Sequence, residues 1–346
     1  MNRKTEATST PLQTQGFRQN SLNTVKIIAA LQVLYVHTIT HLHISVPSIV
    51  TKIFSIFMGV PIFFILSGFL MWKSIGKSPN FKEYATKRSK RIFPELWLGV
   101  LIEILAIIII FDGVIKWIIL PVFFVTQGTV LQFWTPSFLR GYGCGTPNGS
   151  LWTMGVIIQF YIVAWFIYKL LHGKKLWRWI VLFALSIAIK LIIPYLDNIL
   201  PNIIVKLLSQ TILKWFWLFI FGAFLSEYSD KVIPFLKKTW WIFLIISLVV
   251  GHFGLDIDTA NYGLFKYYLR VLALIGLAYC LPKLNIKIDF SYGIYIYHMI
   301  IVNAMIEFGF VGVWYHLLIV ITISVILAIG SYYFGQFITK KLSKNK

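Results

Sequence analysis

Long apolar runs separated by short polar ones fill most of the chain. Ten stand out, at 25–43, 53–72, 95–111, 152–172, 177–196, 207–226, 239–254, 264–281, 291–310 and 314–337. Each approaches the roughly 20 residues that a helix needs to cross a bilayer. The pattern predicts an all-α fold, a polytopic membrane helix bundle of about ten transmembrane helices. An eleventh apolar run, 114–131, is interrupted by Lys116, Pro121 and Gln127. It is expected to stay within an outer loop, 112–151, as a re-entrant or interfacial piece whose backbone is buried in protein or lines a cavity. The polar stretch 1–21 reads as a disordered tail, 22–340 as one transmembrane domain and 341–346 as a basic cytoplasmic tail. No repeat of fixed period is evident.

Composition agrees with this reading. The 346 residues are 58% hydrophobic and 13% charged, which excludes an ordinary soluble domain. The net charge of +20 would suit nucleic acid. In a polytopic chain it is better explained by lysine and arginine collecting in cytoplasmic loops, so membrane lipids are expected as partners and nucleic acid is not. The loop carrying Lys73, Lys77, Lys82, Lys87, Arg88, Lys90 and Arg91 sets the orientation. With 114–131 not crossing, the other basic loops fall on the same side, both chain ends are cytoplasmic, and Asp256 and Asp258 lie in an outer loop. The first run lacks a small-residue cleavage site and reads as a retained signal anchor in the membrane. Cys144 and Cys280 have no metal-ligand spacing and are not expected to pair.

Against this apolar background the ionisable residues are few, and each is a candidate for function. Lys26 and His37 lie eleven residues apart on the first run, which puts them on one helical face about 16 Å apart along the axis. An imidazole ordinarily titrates near neutral pH, so His37 suits proton transfer; a hydrogen bond inside the bundle is the alternative. In KRSKR, 87–91, Arg88 and Arg91 share a helical face, and guanidinium forks suit phosphate. For an isolated cluster, contact with anionic lipid is the better explanation, but Pro94 is expected to begin a span right behind this one and hold it at the membrane face. Glu103 lies within the third run and needs a partner, either His37, a substrate hydroxyl or a cation on another helix. Trp152 and Tyr161 read as interface aromatics, Gln159 as an interhelical hydrogen bond, and His298 as a second intramembrane imidazole. His37 and His41 are four residues apart, yet no carboxylate accompanies them, so no metal site is expected.

Taken in order, these pieces resemble the membrane acyltransferase-3 family, which includes O-acetyltransferases of bacterial surface sugars. The resemblance runs from about Ser21 to His298. It rests on Lys26 and His37 in KIIAALQVLYVH; on Gly59, Val60, Phe63, Phe64, Ser67, Gly68 and Phe69 in a GVxxFFxxSGF pattern; and on Arg88 and Arg91 in RSKRIFP. NGSLWT at 148–153 with QFY at 159–161, and SYGIYIYH at 291–298, complete it. The chain departs from the family at Asn23, where an acid is usual, and at Ile157, where a glutamate is usual.

The resemblance implies an acetyl-CoA-dependent O-acetyltransferase that moves an acetyl or short acyl group from cytoplasmic acyl-CoA to a cell-surface or lipid-linked glycan hydroxyl. His37 would be the general base, with Glu103 replacing the absent glutamate. Lys26, Arg88, Arg91 and Lys90 would bind the coenzyme, and Ser67, Trp152, Gln159, Tyr161 and His298 the substrate. No metal is implied, and homo-oligomerisation stays open. The competing readings are a glycan-precursor transporter or flippase and an inactive family member.

Overall fold

The computed structural model of the protein describes residues 19–132, 134–257 and 263–344. Residues 1–18 of the expected tail, Asp258 of the expected outer loop and the last two residues lie outside them. Among the described residues the chain is helical throughout, with no strand. The helices are α1 (Leu22–His41), α2 (Ser48–Ser55), α3 (Gly59–Ile75), α4 (Phe81–Ile110), α5 (Leu120–Gln127), α6 (Trp152–Leu171), α7 (Leu176–Ile192), α8 (Asn202–Ser209), α9 (Ile212–Glu227), α10 (Ser229–His252), α11 (Phe265–Cys280), α12 (Ser291–Glu307) and α13 (Tyr315–Lys344).

Eight stretches among these are long and apolar enough to cross a membrane, counting α2 with α3 and α8 with α9. The remaining two expected spans form as α11 and α12, of 16 and 17 residues. The protein is therefore a multi-pass membrane protein. The run 114–131 does not produce a spanning helix: a 3₁₀ turn at Trp117–Ile119 leads into α5. At 1.5 Å per residue such a piece reaches about 16 Å, roughly half the hydrocarbon core. It is folded against α4 by the Trp97 indole, which donates to the Gly128 carbonyl at 3.0 Å.

Three boundaries differ from the expectation, and at each a side chain of another helix takes up backbone groups. The 53–72 run breaks into α2 and α3, with turn backbone between them, and the Gly59 amide that opens α3 donates to Gln32 Oε1 of α1 at 2.7 Å. The 207–226 run breaks between α8 and α9, and Gln159 spans the break, accepting from the Ile212 amide at 3.0 Å and donating to the Gln210 carbonyl at 3.5 Å. Pro94 does not begin a span; it lies inside the 30-residue α4. A proline cannot donate to the carbonyl four residues back. That carbonyl, on Lys90, accepts instead from Thr339 Oγ1 of α13 at 3.1 Å, so the basic segment continues unbroken into the membrane.

Helix α12 is the axis of the bundle, packed on α1, α13 and α4, with Gly293 through Asn303 buried without interruption. Helices α3 and α9 meet at two glycines. A Cβ on Gly68 would lie 2.0 Å from the Phe219 carbonyl oxygen, and one on Gly222 would lie 1.8 Å from that of Ile65. Small residues let membrane helices approach backbone to backbone, and here they fix the wall that carries Phe63, Leu66 and Ser67.

Hydrogen bonds sort the helix ends into two faces. On one, the Ser21 amide donates to the Ala278 carbonyl at 2.9 Å, and Thr339 reaches Lys90. On the other, the Gly312 amide donates to the Leu42 carbonyl at 2.7 Å, and the Gly143 amide to Glu307 at 2.7 Å. The first face carries Lys73, Lys77, Lys87, Arg88, Lys90 and Arg91 around one opening; it is called the basic face below.

Candidate functional site

The basic face opens into a cavity of about 1410 Å³. Eight lysine and arginine side chains line it, from α1, α3, the α3–α4 turn, α4 and the loop before α12, against three acids, Glu95, Asp230 and Asp289. The N-terminal part of α4 supplies four of these cations because it is a well-started helix. Asn80 Oδ1 accepts from the Glu83 amide at 2.9 Å, and Glu83 pairs with Lys87 one turn on at 2.5 Å.

Arg88 and Arg91, three residues apart, have different surroundings. The Arg88 guanidinium lies over the rings of Tyr84 and Tyr161, at 5.9 and 5.6 Å from their centroids, and its Nε is buried with no hydrogen-bond partner. The Tyr84 hydroxyl donates to the Tyr161 carbonyl at 3.2 Å and fixes that cradle. Arg91 instead donates to Asp289 Oδ2 at 2.7 Å, and Lys26 pairs with the same oxygen. Ser291 Oγ donates to the other carboxylate oxygen at 2.7 Å. Burial pushes the Asp289 carboxyl up, but Lys26 and Arg91 together outweigh it and hold the group below its ordinary value, so it stays ionised. Lys26 and Arg91, both expected to bind the coenzyme, are thus joined to each other through an acid that the sequence reading had not singled out.

Beyond the charged mouth the lining turns apolar, with Phe63, Leu66, Met154, Ile157 and Tyr295 beside Ser67. Ile157 is therefore a cavity residue, at the place where the family resemblance expects a glutamate. Tyr295 joins this end to the imidazoles. Its ring meets Phe63 edge-on at 5.6 Å and His298 at 5.8 Å, and its hydroxyl accepts from Thr153 Oγ1 at 2.7 Å. The NGSLWT turn holds Tyr295 in place. Asn148 donates to the Ile296 carbonyl at 2.9 Å, and Ser150 lies 2.7 Å from Asn148 Oδ1 and 3.1 Å from the Tyr295 carbonyl. Asn303, one turn beyond the imidazoles, donates to the Thr146 and Pro147 carbonyls at 3.0 and 2.6 Å.

His37 and His298 meet. His298 Nε2 lies 3.1 Å from His37 Nδ1, and His298 Nδ1 lies 3.1 Å from the Ile294 carbonyl. His298 is fully buried, whereas His37 keeps part of its surface open. Glu103 does not join them. It is buried on α4 with neither carboxylate oxygen hydrogen-bonded, and it lies near Tyr142, whose phenol is pushed up by burial first and then by the charges of Glu103 and Glu307.

The residues named from sequence thus fall into three sets. Lys26, Arg88, Lys90, Arg91, Ser67 and Tyr161 line the cavity, and His37 and His298 form the pair beyond its apolar end. Trp152 packs with Phe64 and Trp215 at 6.4 and 5.3 Å between ring centroids, Gln159 bridges the α8–α9 break, and Glu103 stands apart. Sequence reasoning missed Asp289, Tyr84 and Asn303, and gave Tyr295 no role beyond its place in SYGIYIYH. Asp289 had a signal: it is an acid in a loop otherwise supplied with Lys283 and Lys287, two residues before Ser291 of SYGIY. Among the described residues no group of three or more histidine, cysteine, aspartate or glutamate side chains is arranged for a metal ion.

A family profile described as an acyltransferase domain matches residues 19–333. Nodulation protein 10 of Rhizobium leguminosarum bv. viciae is 30% identical over 324 residues, 86% of each chain. The O-acetyl transferase of Shigella phage Sf6 is 25% identical over 305 residues, covering 83% of this chain and 87% of that protein. Peptidoglycan O-acetyltransferase OatA of Listeria monocytogenes is 24% identical over 117 residues, 31% of this chain and 19% of its own length. No solved structure gives a significant match. With most of its length matched by the profile, and with the helices and motifs described above, the chain belongs to the acyltransferase-3 family of multi-pass membrane proteins.

Proposed function

We propose that this protein is a membrane O-acetyltransferase that draws acetyl or another short acyl group from acyl-CoA in the cationic cavity and passes it to a sugar hydroxyl of an envelope or lipid-linked glycan. The observation that carries the reading is the gradient within one cavity, from eight cations at the mouth to an apolar end beside a histidine pair. A coenzyme A thioester has the same polarity: phosphates at one end and a neutral acyl thioester at the other. Arg88 is the first phosphate ligand in this reading, because its guanidinium lies over two tyrosine rings and keeps a buried N–H without a partner. Lys87, Lys90 and Lys73 add to the field.

His37 acts as the general base. The acceptor hydroxyl attacks the thioester carbonyl carbon while His37 takes its proton. Collapse of the tetrahedral intermediate forms the C–O ester bond and breaks the C–S bond, and the proton passes to the departing sulfur to give the free thiol. The acyl group and the acceptor class rest on the relatives, of which the phage and Listeria proteins are named O-acetyltransferases. The cytoplasmic location of the donor rests on the basic face being the inner one.

The test uses the full chain in membranes. Acetyl transfer from labelled acetyl-CoA to envelope glycan is expected from wild type and to be lost in His37→Ala with coenzyme A binding kept. Coenzyme A binding is expected to weaken in Arg88→Ala. A wild-type protein that does not bind coenzyme A would overturn the donor assignment, and a transporter of glycan precursors would then fit better.

A further inference from the structure

The contact between the two histidines has a direction, because one end of the chain of contacts cannot donate. The Ile294 carbonyl oxygen has no proton, so the 3.1 Å contact with it requires the proton on His298 Nδ1. With both rings uncharged, His298 Nε2 is then the bare nitrogen and accepts. The proton in the 3.1 Å contact between the rings therefore belongs to His37 Nδ1. This leaves the lone pair of His37 on Nε2, the nitrogen not engaged by His298. His298 has no freedom to do otherwise: it is fully buried on the central helix, with Tyr295 edge-on to its ring and the α12 backbone holding its other nitrogen.

We propose that His298 is the positioning residue for His37. It fixes the tautomer and ring orientation that present Nε2 as the base, so that this chain needs no carboxylate behind its histidine. The inference rests on the reading that His37 is the general base. It accounts for two facts that otherwise stand unconnected, an isoleucine at 157 and a Glu103 carboxylate that reaches no partner. In a base–carboxylate pair the acid accepts from the imidazole N–H; here a second imidazole accepts, and a backbone carbonyl in turn anchors it. When His37 Nε2 gains the hydroxyl proton, its Nδ1–H remains hydrogen-bonded to His298, so the new charge keeps a fixed acceptor. The proton then leaves from Nε2 to the sulfur, and neither ring is changed over the cycle.

The test measures thiol release from acetyl-CoA by membranes containing the full chain and its native acceptors, with coenzyme A binding measured separately. His298→Leu is expected to lower kcat about 100-fold while KM for acetyl-CoA stays within about twofold. His298→Gln restores an oxygen acceptor at the reach of Nε2 and is expected to return kcat to within about tenfold of wild type. A His298→Leu protein at wild-type kcat, with His37→Ala inactive, overturns the inference and leaves the base assignment standing. An active His37→Ala overturns the base assignment itself. If His298→Leu no longer binds coenzyme A, the glutamine variant decides: kcat within about tenfold of wild type supports positioning, and a loss as deep as that of His37→Ala overturns it.

Discussion

The mouth of the cavity and the histidine pair beyond its apolar end are built on opposite principles. The mouth is redundant: eight cations line one cavity, three acids temper them, and Arg91 and Lys26 already share Asp289. The pair has no spare part. Two rings touch at 3.1 Å, and one is fixed by a backbone carbonyl. Redundant charge tolerates loss because each exposed cation acts through solvent and its neighbours compensate. A single hydrogen-bonded geometry does not, if, as proposed, transfer depends on where one lone pair points. The two regions should therefore answer mutation on different scales and in different kinetic constants.

The largest effect is expected at the pair. His37→Ala should lower acetyl transfer by about 100- to 10,000-fold, with coenzyme A binding kept, as measured by label transfer beside equilibrium binding. Next comes Arg88→Ala, which removes a guanidinium lying over two tyrosine rings and should weaken coenzyme A binding by about tenfold, the effect of losing roughly one charge-assisted hydrogen bond. Arg88→Lys should recover only part of that, since an ammonium cannot present a planar fork to phosphate. Gly68→Ala tests the wall the two regions share. Its Cβ would meet the Phe219 carbonyl oxygen at 2.0 Å, so α3 must move away from α9, at a cost of about 1–3 kcal/mol seen as a lower thermal unfolding midpoint. The smallest effect is expected at the rim. Lys87 is half exposed and pairs with Glu83 one turn away, so Lys87→Ala should change stability by about 0.5 kcal/mol or less and donor affinity by less than about twofold. A Lys87 effect as large as that of Arg88 would erase the distinction between the aromatic cradle and the open rim.

The contrast also explains what was legible in the sequence. The apolar runs, the basic stretch and the two intramembrane histidines are local signals, each set by composition or helical spacing, and they announce a multi-pass bundle with a basic face. The break of α3 from α2, the break of α9 from α8 and the continuity of α4 through Pro94 depend on hydrogen bonds from other helices: Gln32, Gln159 and Thr339. Hydropathy does not register such partners. The same holds at the site. That His37 and His298 are both notable is visible in the chain; that they touch, 261 residues apart, is a matter of α1 packing on α12. In the sequence alone, Glu103 is the acid expected behind His37, because a buried acid needs a partner. The fold gives that place to His298 and leaves the carboxylate without a hydrogen bond.

The central claim is that one cavity binds the donor at its charged mouth and that His37, beyond its apolar end, drives the transfer. The most direct measurement compares wild type with His37→Ala for acetyl transfer from acetyl-CoA to envelope glycan, in protein shown to bind coenzyme A equally well. Transfer reduced by about 100-fold or more at unchanged binding is the predicted result. Transfer at the wild-type rate in His37→Ala would contradict the account.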